Sequence, residues 1–510
     1  MAVGRASSVA LQGIDGHLVT VEADVGRGLP GMHIGGLGDA AVSEARDRVR
    51  TAAVNSGVQW PRTKIVVSMS PASLRKYGSA YDLAIVCAVI AAGLADADID
   101  HRLATTVLIG EVGLAGDIRA VSGVLPAVLG ARDAGIARVV VPKANGVEAA
   151  MVEGMSVITA AHLTELWDWL RTGSGLSPAA AQPWATQRAP GPDMADVHGQ
   201  PQARRALELA AAGGHHMLMV GAPGTGKSML AQRLPGILPP LSRAEALEST
   251  AIHSVSSHHS AHAIRAGCRP FISPHHTASS AALLGGGCGI PHPGAVSLAH
   301  RGVLFLDEVS LMSGRVLDSL RTPLETGEVV FHRDRRTVCY PAQFQLIAAA
   351  NQCRCGATEA SLCTCTQADR RNHLKGLSGP LLDRIDLRVR LDPQHSVLST
   401  QRAESSADIA ARVEEARHRA HTRWAGLGHL PQTTNARVSG TTLRSYAPAD
   451  DEGMAWLATQ LAEKTVTQRG IDRTLRVAWT LADLAAKPQP ELGEVADAIE
   501  LHIDHEAVLA

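Results

Sequence analysis

From Val9 to Val25 apolar and polar residues alternate with glycine breaks, a period of two that predicts β-strands. Ala41, Val42, Ala45, Val49, Ala52 and Ala53 then recur at helical spacing, with Arg46, Asp47, Arg48 and Arg50 off that face. Lys64–Met69, Thr106–Ile109 and Arg138–Val141 read as further strands, and Leu125–Ala134 as a helix between the last two. The longest apolar run, Leu83–Ala95, is too short and too rich in alanine to span a bilayer, so it reads as a buried helix. Residues 1–171 therefore form a mixed α/β domain.

The rhythm changes after that. Residues 172–194 are rich in Gly, Pro, Ser and Ala with no apolar period, which reads as a linker. Beyond it, His216–Val220, the run after Gly302 and Leu346–Ala350 are short, unbroken apolar stretches. Such runs suit parallel strands covered on both faces. With a helix expected at Gln202–Ala212, residues 195–395 form an α/β core, and residues 396–510 read as a helical domain.

The first of these strands leads into Gly221, Ala222, Pro223, Gly224, Thr225, Gly226, Lys227 and Ser228, the pattern of a phosphate-binding loop. The glycines let backbone N–H groups curl around phosphate oxygens, and the following helix adds a favourable dipole. Lys227 can reach the β- and γ-phosphates of ATP, and Ser228 can ligate Mg²⁺. About 80 residues downstream, Val303–Leu306 ends in Asp307 and Glu308. Asp307 is expected to hold Mg²⁺ through water, and Glu308 to orient the attacking water. Asn351, at the end of the next strand, is expected to help place that water; a capping Asn in a turn is the competing reading.

Composition adds limits. The chain has 510 residues, enough for about three domains. Hydrophobic residues make up 45% but aromatics only 3%, so the cores are aliphatic. A net charge of −1 gives no global field to attract nucleic acid, so any such binding needs local patches. The N-terminal residues lack the apolar core of a signal peptide, and four of the eight cysteines are scattered; both suit the cytoplasm. The other four, Cys353, Cys355, Cys363 and Cys365, fall within thirteen residues. Four thiolates satisfy tetrahedral Zn²⁺, with a redox pair or plain reduced thiols as the alternative. His253, His258, His259 and His262 lie together, but nothing completes a site there.

Glu328–Tyr340 reads as a β-hairpin with a charged turn that includes His332, Arg333, Arg335 and Arg336. Such a tip can contact DNA phosphates without sequence preference, or simply be solvated. The arginines of Asp408–Arg423 (Arg412, Arg417, Arg419, Arg423) are a second candidate for DNA contact.

Pro71–Gly78, Ile109–Asp117 and the stretch from Gly123 resemble the Lon-protease-like fold. That fold's catalytic serine and lysine line up with Ala80 and Ala127. Ser79 lies one residue off without a lysine to activate it, so peptidase activity is not expected and the domain reads as a scaffold.

The order of motifs in the core resembles AAA+ ATPases. There Asn351 takes the sensor-1 position. Arg384, in Gly379–Asp386, takes that of an arginine finger reaching a neighbouring subunit; a surface ion pair with Asp383 or Asp386 is the alternative. Arg476, read as lying at the start of an amphipathic helix, takes the sensor-2 position, in cis or in trans, with Arg473 as fallback.

Arg269-Pro-Phe-Ile-Ser-Pro-His-His-Thr-Ala-Ser, the glycines from Gly285, Leu298–Glu308 and Ser378–Asp386 are together similar to the magnesium-chelatase-like AAA+ family of YifB and ComM. Two places depart from it: Tyr77 replaces an acidic residue, and Asn351-Gln-Cys-Arg-Cys-Gly replaces Asn-Pro-Cys-Pro-Cys-Gly. The resemblance covers nearly the whole chain. It implies a Lon-like N-terminal domain, a P-loop AAA+ core with a parallel sheet, and a helical lid. It also implies a homo-hexameric, ATP-driven motor on single-stranded or branched DNA, a helicase-type branch-migration factor in recombination and natural transformation. The alternative is an ATPase that remodels a protein or metal-chelatase partner.

Overall fold

The computed structural model describes residues 3–503 except 37, 95, 181–183, 185–187, 189–190, 257–263, 265, 288–290, 334–335, 358–361, 367, 370–372, 374–376, 378, 393–402 and 431–432. The N-terminal part is built on an eight-stranded mixed sheet. Its order is Ser177–Pro178, Ser156–Ala160, Arg138–Pro142, Thr106–Leu108, Val3–Gln12, Asp15–Gly26, Lys64–Ser70 and Gly31–Gly35. The alternation around Val9–Val25 becomes an antiparallel pair in register from Val3 opposite Asp24 to Gln12 opposite Asp15. The apolar run becomes the helix Asp82–Leu94, buried from Asp82 to Ala91 against one face of the sheet. It lies so close that a β-carbon on Gly4 would sit 2.1 Å from the Ala88 carbonyl, so only glycine fits there. Helix Val124–Asp133 covers the other face. Ser177–Pro178 pairs with Ser156–Ala160, so this sheet takes in the start of the stretch read as linker.

The second sheet is five-stranded and parallel, in the order Phe271–Ile272, Val303–Leu306, Gln345–Ala350, Met217–Gly221 and Leu387–Leu391. Its central strands are wholly buried. Three of the five were expected. Phe271–Ile272 is a two-residue edge strand, and Leu387–Leu391 follows the Arg384 motif directly. In such an open sheet, ligands bind beyond the C-terminal ends of the strands, where the strand order reverses. The phosphate loop leaves the sheet from that edge.

The helices after residue 405 do not form a separate body. Ser406–Gly426 packs on Pro201–Gly213 and Lys227–Ile237, and Gln468–Leu484 packs on Pro201–Gly213. Trp424, Leu475 and Trp479 share one core with Ala206, Leu209 and Met217. A buried polar chain fixes this docking. His215 Nδ1 meets Asp386 Oδ2 at 2.9 Å, and His215 Nε2 meets Thr480 Oγ1 at 2.8 Å. Asn435 Nδ2 donates to Thr480 Oγ1 and to Asp483 Oδ2, at 3.0 and 2.9 Å. His215 and Asp386 both stand just before sheet strands, so the lid is anchored at the N-terminal edge of the sheet, away from the phosphate loop.

The N-terminal domain leans on the core at two places. Helix Val124–Asp133 packs on Arg243–Val255, where the Gly123 N–H donates to the Ser254 carbonyl at 2.8 Å. The turn after Val3–Gln12 meets the hairpin Glu328–Arg333/Arg336–Pro341, with Gln12 Nε2 donating to the Thr337 carbonyl at 2.7 Å. No helix among the described residues is long and apolar enough to cross a membrane.

Candidate nucleotide site and its arginine-lined counterpart

The phosphate loop bends because Gly224 and Gly226 adopt φ of 79° and 91°, a left-handed conformation costly for other residues. Helix Lys227–Ile237 then starts at the lysine. Lys227 Nζ donates to the carbonyls of Gly221 and Ala222, at 2.9 and 2.8 Å, and to Asn351 Oδ1 at 3.1 Å. The ammonium thus lies folded across the mouth of the loop. Burial pushes its pKa down, while Asp307 and Glu308 pull it up.

Ser228 Oγ donates to Asp307 Oδ2 at 2.7 Å, and the other oxygen of Asp307 accepts the Glu308 N–H at 2.9 Å. Glu308 adopts φ 49°, a strained value for a residue with a side chain. Its carboxylate faces His276 Nδ1 at 3.1 Å. Four residues from three strand ends, Lys227, Ser228, Asp307 and Asn351, therefore meet beyond one edge of the sheet, with Glu308 beside them. The Ser228 hydroxyl and Asp307 carboxylate are hard oxygen donors within hydrogen-bond reach of each other, a set that fits Mg²⁺.

Arg384 and Arg476 lie elsewhere. Both line a cavity of about 1050 Å³ that Asp383, Arg469 and Arg473 share and that none of residues 221–228 enters. Gly214, His216, Gly302 and Gln345, at the N-terminal ends of strands, form its floor. Arg384 pairs with Glu325 of helix Arg321–Thr326, rather than with Asp383 or Asp386. Arg476 donates through Nε to the Val438 carbonyl at 2.9 Å. It sits in the middle of helix Gln468–Leu484, not at its start, because Thr467 caps that helix. The docking of the helix at the far edge of the sheet removes the cis placement of Arg476. Arg473 is buried, 3.6 Å from Asp383.

The cysteines converge. Sulfur separations are 3.2 Å for Cys353–Cys355 and 3.5 Å for both Cys355–Cys363 and Cys353–Cys363, and all four sulfurs lie within 4.8 Å of one another. The expected hairpin forms, with Arg333 opposite Arg336 at its last rung. Arg335, and the side chains of Arg333 and Arg336, lie outside the described residues, as do His258, His259 and His262. His253 is buried, its Nε2 2.8 Å from the Leu298 carbonyl.

The arginines of helix Ser406–Gly426 are engaged within the protein. Arg412 pairs with Glu208 and Glu404, and Arg417 donates twice to the Ala211 carbonyl. Arg419 bonds the Asp483 carbonyl and Glu415. Arg423 pairs with Asp483 and stacks over Trp479, 3.8 Å from the ring centre. Glu208, Ala211 and Asp483 are remote in sequence, so these pairings leave no signal along the chain. In the N-terminal domain Ala127 is buried, Ser79 Oγ bonds Glu111, and Lys76 Nζ is spent on the carbonyls of Met69 and Pro71.

His276, Glu325 and the His215–Asp386 pair escaped the sequence reading. Only His276 left a signal there, in the paired histidines that follow Arg269-Pro-Phe-Ile-Ser-Pro.

Three family models of the magnesium chelatase subunit ChlI match this chain. "Magnesium chelatase, subunit ChlI" covers residues 193–398, "Subunit ChlI of Mg-chelatase" residues 21–145, and the ChlI C-terminal model residues 403–502. An uncharacterised protein of Mycobacterium tuberculosis is 48% identical over 98% of both chains. YifB of Escherichia coli is 39% identical over 95% of this chain and 94% of its own. The competence protein ComM of Haemophilus influenzae is 36% identical over 97% of each. A shorter stretch of 183 residues, 34% of this chain, is 28% identical to 22% of Lon protease 2 of Thermus thermophilus. With its P-loop AAA+ core, Lon-like N-terminal domain and helical C-terminal part, the chain belongs to the magnesium-chelatase-like family of YifB and ComM.

Proposed function

We propose that this chain is an ATP-hydrolysing ring motor acting on DNA, a helicase-type branch-migration factor in recombination or transformation. One observation carries the reading. The groups that grip a triphosphate stand at one edge of the parallel sheet, and Arg384 and Arg476 stand together in an open cavity at the other. A site split in this way is completed when the cavity edge of one copy meets the phosphate loop of the next, and repetition of that contact closes a ring. Six copies is the number we expect.

The chemistry follows from the charges. N–H groups of the loop and the start of its helix hold the phosphates, and Lys227 turns from the loop carbonyls onto the β- and γ-oxygens. Mg²⁺ bound at Ser228 and Asp307 would neutralise charge on the phosphates. Glu308 orients the attacking water, with Asn351 as its second anchor. Arg384 of the neighbouring copy, released from Glu325, stabilises charge on the transferring phosphoryl group, and Arg476 supports it from the same side. Zinc, if held by the cysteine cluster, takes no part in this step.

The DNA half of the reading rests on the hairpin with Arg333, Arg335 and Arg336 and on the name of ComM as a competence protein. A cytoplasmic location belongs to it. The chelatase family models favour a second reading, in which the same motor remodels a protein or chelatase partner. ATPase rates with and without single-stranded or forked DNA separate the two. Stimulation supports the DNA motor, and an unchanged rate supports the remodeller.

A further inference from the structure

The cysteine cluster is placed where it can govern the nucleotide site. Cys353 is two residues past Asn351, whose side chain accepts from Lys227. Three residues later the chain passes the phosphate loop so closely that a β-carbon on Gly356 would lie 3.3 Å from Pro223. On its return, His373 Nε2 stands 3.0 Å from Ser310 Oγ, two residues after Glu308. Among the described residues near the cysteines, Asn351, Gly356 and His373 thus touch Lys227, the phosphate loop and the turn of the two carboxylates.

The sulfurs of Cys353, Cys355 and Cys363 are separated by 3.2 to 3.5 Å. That is far beyond the ~2.05 Å of a disulfide. It is close to the ~3.8 Å that four thiolates adopt around one tetrahedral ion at ~2.3 Å from each sulfur. Closed four-sulfur sites of this kind are structural and select Zn²⁺ or iron.

We propose that Cys353, Cys355, Cys363 and Cys365 bind one Zn²⁺ as a closed structural centre, and that this centre sets the position of Asn351 and the phosphate loop. On binding, the four thiols release four protons and the zinc takes four sulfur ligands, leaving no open position for catalysis. The centre carries two net negative charges, and Arg354, between two of the ligands, offsets part of them. The positioning half rests on the ATP site proposed above; the metal half does not.

The test uses the full chain purified under reducing conditions without added metal. Elemental analysis is expected to find one zinc per chain and no iron. Cys353→Ser and Cys363→Ser should each lose that zinc, and Cys268→Ser should keep it. Wild-type protein stripped by a thiol-modifying reagent, then reduced, is expected to bind a fluorescent ATP analogue roughly tenfold or more weakly, as misplacement of gripping groups implies. Re-addition of Zn²⁺ should restore binding, and Cys365→His, which keeps a ligand zinc accepts, should retain both metal and affinity. Zinc well below one per chain, or iron in its place, overturns the metal assignment whatever the ATPase does. Nucleotide affinity that stays unchanged once the zinc is stripped overturns the positioning role. If wild-type chain binds zinc but no ATP, the ATP-site reading fails while the metal centre stands.

Discussion

Ser228 Oγ and Asp307 Oδ2 are 2.7 Å apart, although 79 residues of chain separate them. The contact joins the start of the phosphate-loop helix to the end of a neighbouring strand, and it brings together two hard oxygen donors of the kind Mg²⁺ takes. Ser228→Ala and Asp307→Ala should therefore each weaken Mg²⁺-ATP binding relative to ATP without metal. Titration of nucleotide with and without Mg²⁺ measures this; equal loss in both conditions would assign the pair to folding alone.

Glu308 is set apart from its neighbours by its strained backbone and its contact with His276. Glu308→Gln keeps the shape and removes the charge to which we assign the polarising of water. Turnover should fall on the order of a hundredfold or more while ATP affinity stays within a few-fold. Single-turnover hydrolysis next to equilibrium binding reads the two separately.

His216 gives the fold a pH dependence. Its Nδ1 accepts the Leu346 N–H at 3.0 Å, so that nitrogen must carry no proton. Burial, the largest cause, pushes the ring down to about 4; Asp386 opposes this, and Arg437 and His215 add to it. An unfolded His216 takes up its proton near 6.5. The stabilisation is thus complete above about pH 6.5 and is lost as the pH falls towards 4. The ring partly faces the open cavity, so we expect a loss of about 1–2 kcal/mol rather than the ~3 kcal/mol of a sealed site. His216→Asn keeps an acceptor and cannot titrate, so denaturant midpoints at pH 7.5 and 5 should differ less for it than for wild type.

Much of the candidate nucleotide site was legible because its signals are local. A glycine loop after an apolar run, and two carboxylates after another, need no knowledge of tertiary packing. The strand Leu387–Leu391 shows the limit. Arg388 and Arg390 interrupt its apolar run, and only its period of two betrays it. Placement of Arg476 depends on how a whole helix docks, through His215, Thr480 and Asp386, and no spacing along the chain encodes that contact. The pairing of the Ser406–Gly426 arginines was hidden for the same reason, since Glu208 and Asp483 are distant in sequence.

The hairpin arginines supply the test of the DNA reading. Arg333, Arg335 and Arg336 changed together to Ala should weaken binding of single-stranded DNA and flatten its dependence on salt, because fewer counterions are released. Affinity measured across a salt series checks both. An unchanged slope would remove the hairpin from the DNA contact.

The central claim is that one active site is assembled from two copies of the chain, and mixing inactive variants tests it most directly. Lys227→Ala cannot grip the triphosphate, and Arg384→Ala cannot assist its neighbour, so each alone should hydrolyse almost no ATP. Mixed in equal amounts, they form some interfaces that pair an intact phosphate loop with an intact arginine, and ATPase activity should reappear. A mixture as inactive as its parts, or Arg384→Ala hydrolysing ATP at the wild-type rate by itself, would contradict the account.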